Sequence, residues 1–174
     1  MQINKTLNWL WLTVLIVVLD QITKAAATHY LYMHAPVQLL PGLNFTLMHN
    51  TGAAFSILSQ AGGWQRWFFI ILASGVSIAI IVWIAKLPAT NRWMASALAL
   101  ILGGAVGNLW DRIMLGYVVD FIDVYYQDWH WPAFNISYSA ITIGAIMLII
   151  DAIWFSDEKD SNETTGVDTG SKAT

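Results

Sequence analysis

The sequence contains no cysteine, so no disulfide staples it and no thiolate can act as nucleophile or metal ligand. Charge is also scarce. Asp, Glu, Lys and Arg make up 11% of the 174 residues, whereas a soluble domain carries roughly 25%. With 57% hydrophobic residues, the chain cannot cover itself with a water-facing surface and reads as an integral membrane protein. The net charge of −3 arises in the tail, because the part before Asp157 holds six acids against six Lys or Arg. A neutral body offers no electrostatic footprint for nucleic acid. The four histidines show no HExxH or comparable spacing, which speaks against metal-assisted hydrolysis. Ser137 and Ser139 lie in no GxSxG elbow and have no nearby His or Lys to serve as base.

Long apolar runs are abundant. Leu7–Ala27 reads as a first membrane helix, although Lys5, the apolar run to Leu19 and the small residues Ala25–Ala27 imitate a secretory signal. Asp20, Gln21, Thr23 and Lys24 interrupt that imitation, and a retained helix is expected. Trp67–Ala85 runs nineteen residues without a charge, enough for a hydrocarbon core about 30 Å thick. Trp93–Trp110 and Ile136–Phe155 complete four spans. The fold class expected is therefore a mainly α membrane protein of one domain, residues 1–156. Residues 157–174 follow as a polar, disordered tail.

Four spans put both termini on one side. Lys5, Lys86, Arg92, Lys159 and Lys172 lie there, against Lys24, Arg66 and Arg112 on the other. The positive-inside rule makes the terminal side cytoplasmic, and tryptophans ring both interfaces. Two loops then face outward. In the first, about Thr28–Gln65, Val37–Leu40 and Leu43–Asn50 read as short strands joined by a Pro41-Gly42 turn. The second, about Ile113–Pro132, is rich in aromatics.

Against this apolar background the outer half carries Asp20, Asp111, Asp120 and Asp123. Gly104, Asn108, Asp111 and Arg112 share one helical face, and Gly103 with Gly107 forms a GxxxG pair that admits a close neighbour. Two adjacent carboxylates can share a proton, one activating water while the other protonates the leaving group. Simpler readings stand beside this one. Asp20 can be a helix salt bridge to Lys24 at i+4, and Asp111 with Arg112 can be a structural ion pair. Asp120 resists a simple reading, because Tyr117–Ile122 is otherwise a buried apolar run.

Five blocks carry a resemblance: Val18-Leu19-Asp20-Gln21-Ile22-Thr23-Lys24, Asn50-Thr51-Gly52-Ala53-Ala54-Phe55, Gly103 through Arg112, Val118-Val119-Asp120-Phe121-Ile122 and Pro132-Ala133-Phe134-Asn135. In this order, on four spans, the chain resembles the signal peptidase II family of bacterial inner-membrane aspartyl peptidases. The resemblance covers about Leu7–Phe155. It implies four transmembrane helices, a small periplasmic β-cradle in the first outer loop and a short periplasmic helix. It also implies two catalytic aspartates and no cofactor or metal. The implied substrate is a diacylglyceryl prolipoprotein, cut before the modified cysteine and met within membrane lipid, with no obligate protein partner. Asp120 matches the first catalytic aspartate. Asp20, Asn50, Gly52, Asn108, Asp111, Arg112 and Asn135 match positions that shape the site or contact substrate, Arg112 as the holder of a substrate carbonyl.

One position departs. Where the family has its second catalytic aspartate, this chain has Tyr138, in Phe134-Asn135-Ile136-Ser137-Tyr138-Ser139-Ala140. A phenol with pKa near 10 does not share a proton as a carboxylate does. Three readings follow: a substitution that abolishes catalysis, a paralogue kept for binding, or Asp123 taking the missing role. The third is disfavoured, because Asp123 lies three residues from Asp120 on one strand or turn. A small membrane protein of another kind, such as a transporter subunit, is disfavoured too, since the acids gather at one membrane face.

Overall fold

The computed structural model describes residues 5–52 and 62–154. A 3-10 turn, Lys5–Trp9, leads into α1, Leu10–Tyr30. β1 (Val37–Leu40) and β2 (Leu43–Asn50) follow, then α2 (Trp64–Lys86) and α3 (Arg92–Met114). β3 (Val118–Tyr126), β4 (Trp129–His130) and α4 (Ile136–Trp154) complete the order. All four helices are long and apolar enough to cross a membrane. At 1.5 Å per residue, the 23 residues of α2 span about 34 Å. The molecule is a mainly helical, multi-pass membrane protein with one small antiparallel sheet.

The helices are exposed where a soluble protein would be buried. Trp11, Val14 and Ile22 on α1 and Trp67, Ile71 and Ile78 on α2 face outward, as expected where lipid replaces water and helices gain nothing by hiding apolar groups from each other. α3 is the exception and the hub. It packs against all three other helices, and Ala95, Ala97, Leu98, Ala99 and Leu102 are almost fully enclosed. Its small residues permit this. A Cβ on Gly103 would lie 2.8 Å from Ile16 of α1, and one on Gly107 would collide with Ser137 Oγ while meeting Asp20 Oδ2 at 2.7 Å. The GxxxG pair thus brings α1 and the start of α4 against α3.

The sheet has the order β1-β2-β3-β4, every pair antiparallel. The first two strands have the expected limits, and Gly42 at φ +87° makes the turn between them. The second outer loop, expected as an aromatic-rich connection, is instead the sheet's other half. β3 pairs with β2 through Met48↔Asp120 and Asn50↔Val118. Val118–Phe121 is buried on both faces, so its sequence shows no alternation to mark it as a strand. α1 also begins three residues later and ends three residues later than expected. Thr28 Oγ1 bonding to Lys24 O at 2.9 Å and Leu31 N closing on Ala27 O at 3.0 Å carry the last turn past the alanines. The Ala53-Ala54-Phe55 end of the second block, Phe155 and the polar tail lie outside the described residues, and the implied short periplasmic helix is not among the described elements.

Candidate active site

Asp120 sits on β3, 2% exposed, gripped by two amides. Asn50 Nδ2, at the end of the neighbouring β2, donates to its Oδ2 at 3.0 Å. Asn135 Nδ2 donates to its Oδ1 at 2.8 Å and also to Val119 O at 3.0 Å. The same Asn135 turns its Oδ1 to the backbone N–H of Tyr138 at 2.9 Å, capping the first turn of α4. One fully buried residue therefore fixes both positions of the expected catalytic pair. A cavity of about 600 Å³ lies over Asp120, lined also by Thr46, Met48, Asn50 and Asp123.

Behind Asp120 lies a second polar layer. Lys24 Nζ contacts Asp20 Oδ2 at 2.7 Å, Asp111 Oδ2 at 2.8 Å and Asn108 Oδ1 at 3.0 Å, with all four residues nearly inaccessible. The i+4 pair read from the sequence forms, but it is half of a triad. Asp111 Oδ2 also accepts from the backbone N–H of Val119 at 3.1 Å, and Asp20 Oδ1 from that of Ser137 at 2.9 Å. These are the residues immediately before Asp120 and Tyr138. The triad thus positions β3 and the start of α4, and Asp20 and Asp111 act from within it.

The Asp111–Arg112 ion pair considered from the sequence does not form. Arg112 Nη1 donates to Asn108 O at 3.2 Å and Nη2 to Gly52 O at 2.7 Å, with the guanidinium 5.0 Å from the centre of the Phe69 ring. Gly52 is therefore joined to the site through its carbonyl, and its N–H is tied to Asn50 Oδ1 at 2.9 Å. Tyr138 stands on α4 with Arg112 and Asp120 as charged neighbours. Its ring borders two further cavities, of about 310 and 200 Å³.

Asp123 is occupied. Asn44 Nδ2 donates to its Oδ2 at 3.0 Å, and His130 Nδ1 lies 2.8 Å from its Oδ1. The sequence offered no sign of this pair, because it depends on the β3–β4 hairpin folding back.

Burial pushes the Asp120 carboxyl up to about 7, against the Asn50 hydrogen bond, the Lys24 and Arg112 charges and the Asn135 hydrogen bond, all of which pull it down. A carboxyl titrating near neutrality suits proton transfer. It also has a signature in stability. The folded state keeps a proton that the unfolded chain, with its ordinary value of 3.8, releases between about pH 4 and 7. Asp120's contribution is therefore most favourable below that window, declines through it and is level above about 7. Asp120→Asn should remove the decline, so the native melting temperature measured against the variant's should fall between pH 4.5 and 7.5. A constant difference would place Asp120 among ordinary carboxylates.

Residues 12–154 match the family model described as Signal peptidase (SPase) II. The chain is 57% identical over 149 residues to the lipoprotein signal peptidase of Teredinibacter turnerae, covering 85% of this chain and 88% of that protein. It is 56% identical over 156 residues to that of Acinetobacter baumannii, covering 90% and 89%. Its fold is similar to a bacterial membrane enzyme solved by the in meso method, with a TM-score of 0.76 at 31% identity, covering 96% of this chain and 94% of that one.

Proposed function

The chain belongs to the signal peptidase II family of membrane proteases, and from that premise we propose how its own site works. The family's activity is removal of signal peptides from prolipoproteins. The substrate of this chain is a prolipoprotein whose cysteine carries a diacylglyceryl group. It is met in the bacterial inner membrane at the periplasmic end of the helices, with both termini cytoplasmic. Asp120 is the catalytic carboxylate, Asn50 and Asn135 orient it, and Arg112 with Asn108 faces the bound peptide.

The observation that supports this reading most is the grip on Asp120. A buried carboxyl with each oxygen fixed by an amide, beside a cavity of about 600 Å³, is set up to move a proton at one defined place. Hydrolysis needs two proton movements: one off the attacking water, one onto the departing amine. Asp120 can make one of them at a time. The partner that would hold the other proton in a two-carboxylate site is replaced by Tyr138, and a phenol is protonated at neutral pH. This chain therefore retains the means to bind substrate, and its cleavage is slow.

Incubating the purified protein with a diacylglyceryl prolipoprotein bearing a photo-crosslinker in its signal peptide tests both halves. The expected result is efficient crosslinking with little cleaved product. Absence of crosslinking would remove the substrate assignment. Rapid cleavage would mean that a group other than a carboxylate at position 138 completes the chemistry, with Asp123 and its His130 partner the first to mutate.

A further inference from the structure

The titratable groups around the cavity of about 600 Å³ outnumber those used so far: His34, His49, Asp123 and His130 line it together with Asp120. The histidines differ in what holds them. His49 stacks on Tyr117, 3.8 Å between ring centres, and the charge acting on it is that of His34, another base. Among the described residues only His130 faces an acid. Its Nδ1 lies 2.8 Å from Asp123 Oδ1 and 3.0 Å from Oδ2. Asp123 is itself buried, and its Oδ2 accepts from Asn44 Nδ2 at 3.0 Å. The imidazole also stacks on Tyr125, with 5.3 Å between ring centres and 20° between planes. One edge and one face of the ring are thus fixed, while half of the side chain stays open.

An Nδ1–H donated to a carboxylate selects the imidazole tautomer whose lone pair is on Nε2. No hydrogen bond among the described residues engages that nitrogen. The simpler role is a clasp for the β3–β4 hairpin, in whose ladder His130 pairs with Tyr125. A clasp has no need of an imidazole half open on the cavity that also holds Asp120. Resting on the substrate assignment made above, we propose that His130, oriented by Asp123, is the general base of this chain's slow cleavage, with Asp120 as the acid. Nε2 takes a proton from a water in the cavity, and the water oxygen bonds to the scissile carbonyl carbon. The imidazolium so formed stays paired with Asp123. Asp120, protonated up to near-neutral pH, gives its proton to the departing nitrogen as the C–N bond breaks. The imidazolium proton then passes to Asp120 through water, and both groups regain their starting states. Asp123 is a positioning residue behind a histidine, not a substitute for the carboxylate absent at position 138. Cleavage stays slow because a half-exposed base works in water rather than in an enclosed, preorganised site.

The test follows cleavage of a diacylglyceryl prolipoprotein, with crosslinking yield measured in parallel, for native protein, Asp120→Asn, His130→Asn and His130→Ala. Asparagine at 130 keeps a donor for Asp123 but has no basic nitrogen. His130→Asn should cut the cleavage rate about a hundredfold, the lower end of what general acid–base groups contribute, with crosslinking kept at the native level. His130→Ala should lose as much and should regain rate in proportion to free imidazole in the buffer, to which Asp120→Asn should not respond. Undiminished cleavage by His130→Asn overturns the assignment. So does a loss in His130→Ala that imidazole leaves in place, because a free ring cannot restore a hairpin clasp. A fall in crosslinking that matches the fall in cleavage makes His130 a binding residue and overturns the base as well. Native protein that crosslinks but cleaves no faster than Asp120→Asn has no second proton carrier; the base is then removed and the substrate assignment stands. Native protein that fails to crosslink removes both.

Discussion

Replacing Tyr138 with aspartate is expected to raise the rate of prolipoprotein cleavage by about a thousandfold. General acid–base catalysis contributes on the order of 10²- to 10⁴-fold, and members of one catalytic unit are strongly non-additive, so restoring the missing member recovers most of the lost acceleration. The local structure favours the exchange. The backbone of residue 138 is fixed by its N–H to Asn135 Oδ1. Counting from that cap, residue 138 is the third of the helix, where a carboxylate benefits from the unpaired N–H groups and the helix dipole. Arg112 is near enough to stabilise the new charge. Loss of the phenol ring also joins space now divided between the cavities of about 310 and 200 Å³, making room for the scissile peptide. Turnover of a diacylglyceryl prolipoprotein, measured for both proteins at equal folded concentration, gives the answer. A properly folded Tyr138→Asp with no gain would mean that the site differs from a two-carboxylate peptidase in more than this residue.

The helices and the first hairpin were legible because each has a local cause. Long, mainly apolar runs of about twenty residues set the helices, and Pro41-Gly42 between two short apolar stretches set the turn, so β1 and β2 fall at Val37–Leu40 and Leu43–Asn50 as read. The remainder of the sheet was hidden by its own burial, since Val118–Phe121 lacks the alternation that a half-exposed strand shows. Within the site, Asp120 stood out as a carboxylate in an apolar run, and Asn50, Asn108 and Asn135 converge on it or its immediate support. Arg112 was harder to place. Adjacent residues on a helix do not face each other, so Asp111 turns to Lys24 while Arg112 turns to Gly52. Helical spacing likewise finds the partner of Lys24 four residues away but not the one eighty-seven positions on, which α1 and α3 bring together only by packing at Gly103 and Gly107.

That long-range contact carries the largest expected effect on stability. Lys24→Met keeps the aliphatic stem and deletes the ammonium, leaving Asp20 and Asp111 as two buried carboxylates without a cation between them. Removing one partner of a buried ion pair typically costs about 3–5 kcal/mol, and here a single ammonium serves two acids and Asn108. The consequence extends to the chemistry, because Asp20 and Asp111 hold the N–H groups of Ser137 and Val119, one residue before Tyr138 and Asp120. The variant should therefore unfold at markedly lower temperature in detergent, and the fraction that stays folded should crosslink substrate poorly. Adding Asp20→Asn and Asp111→Asn to Lys24→Met removes the uncompensated charge while retaining side-chain acceptors for both backbone groups. Stability should then recover by more than the single effects predict, the coupling expected of residues that share one network. A Lys24→Met protein as stable as the native one would show that the two carboxylates do not depend on the cation. The triad would then hold β3 and α4 through hydrogen bonds alone.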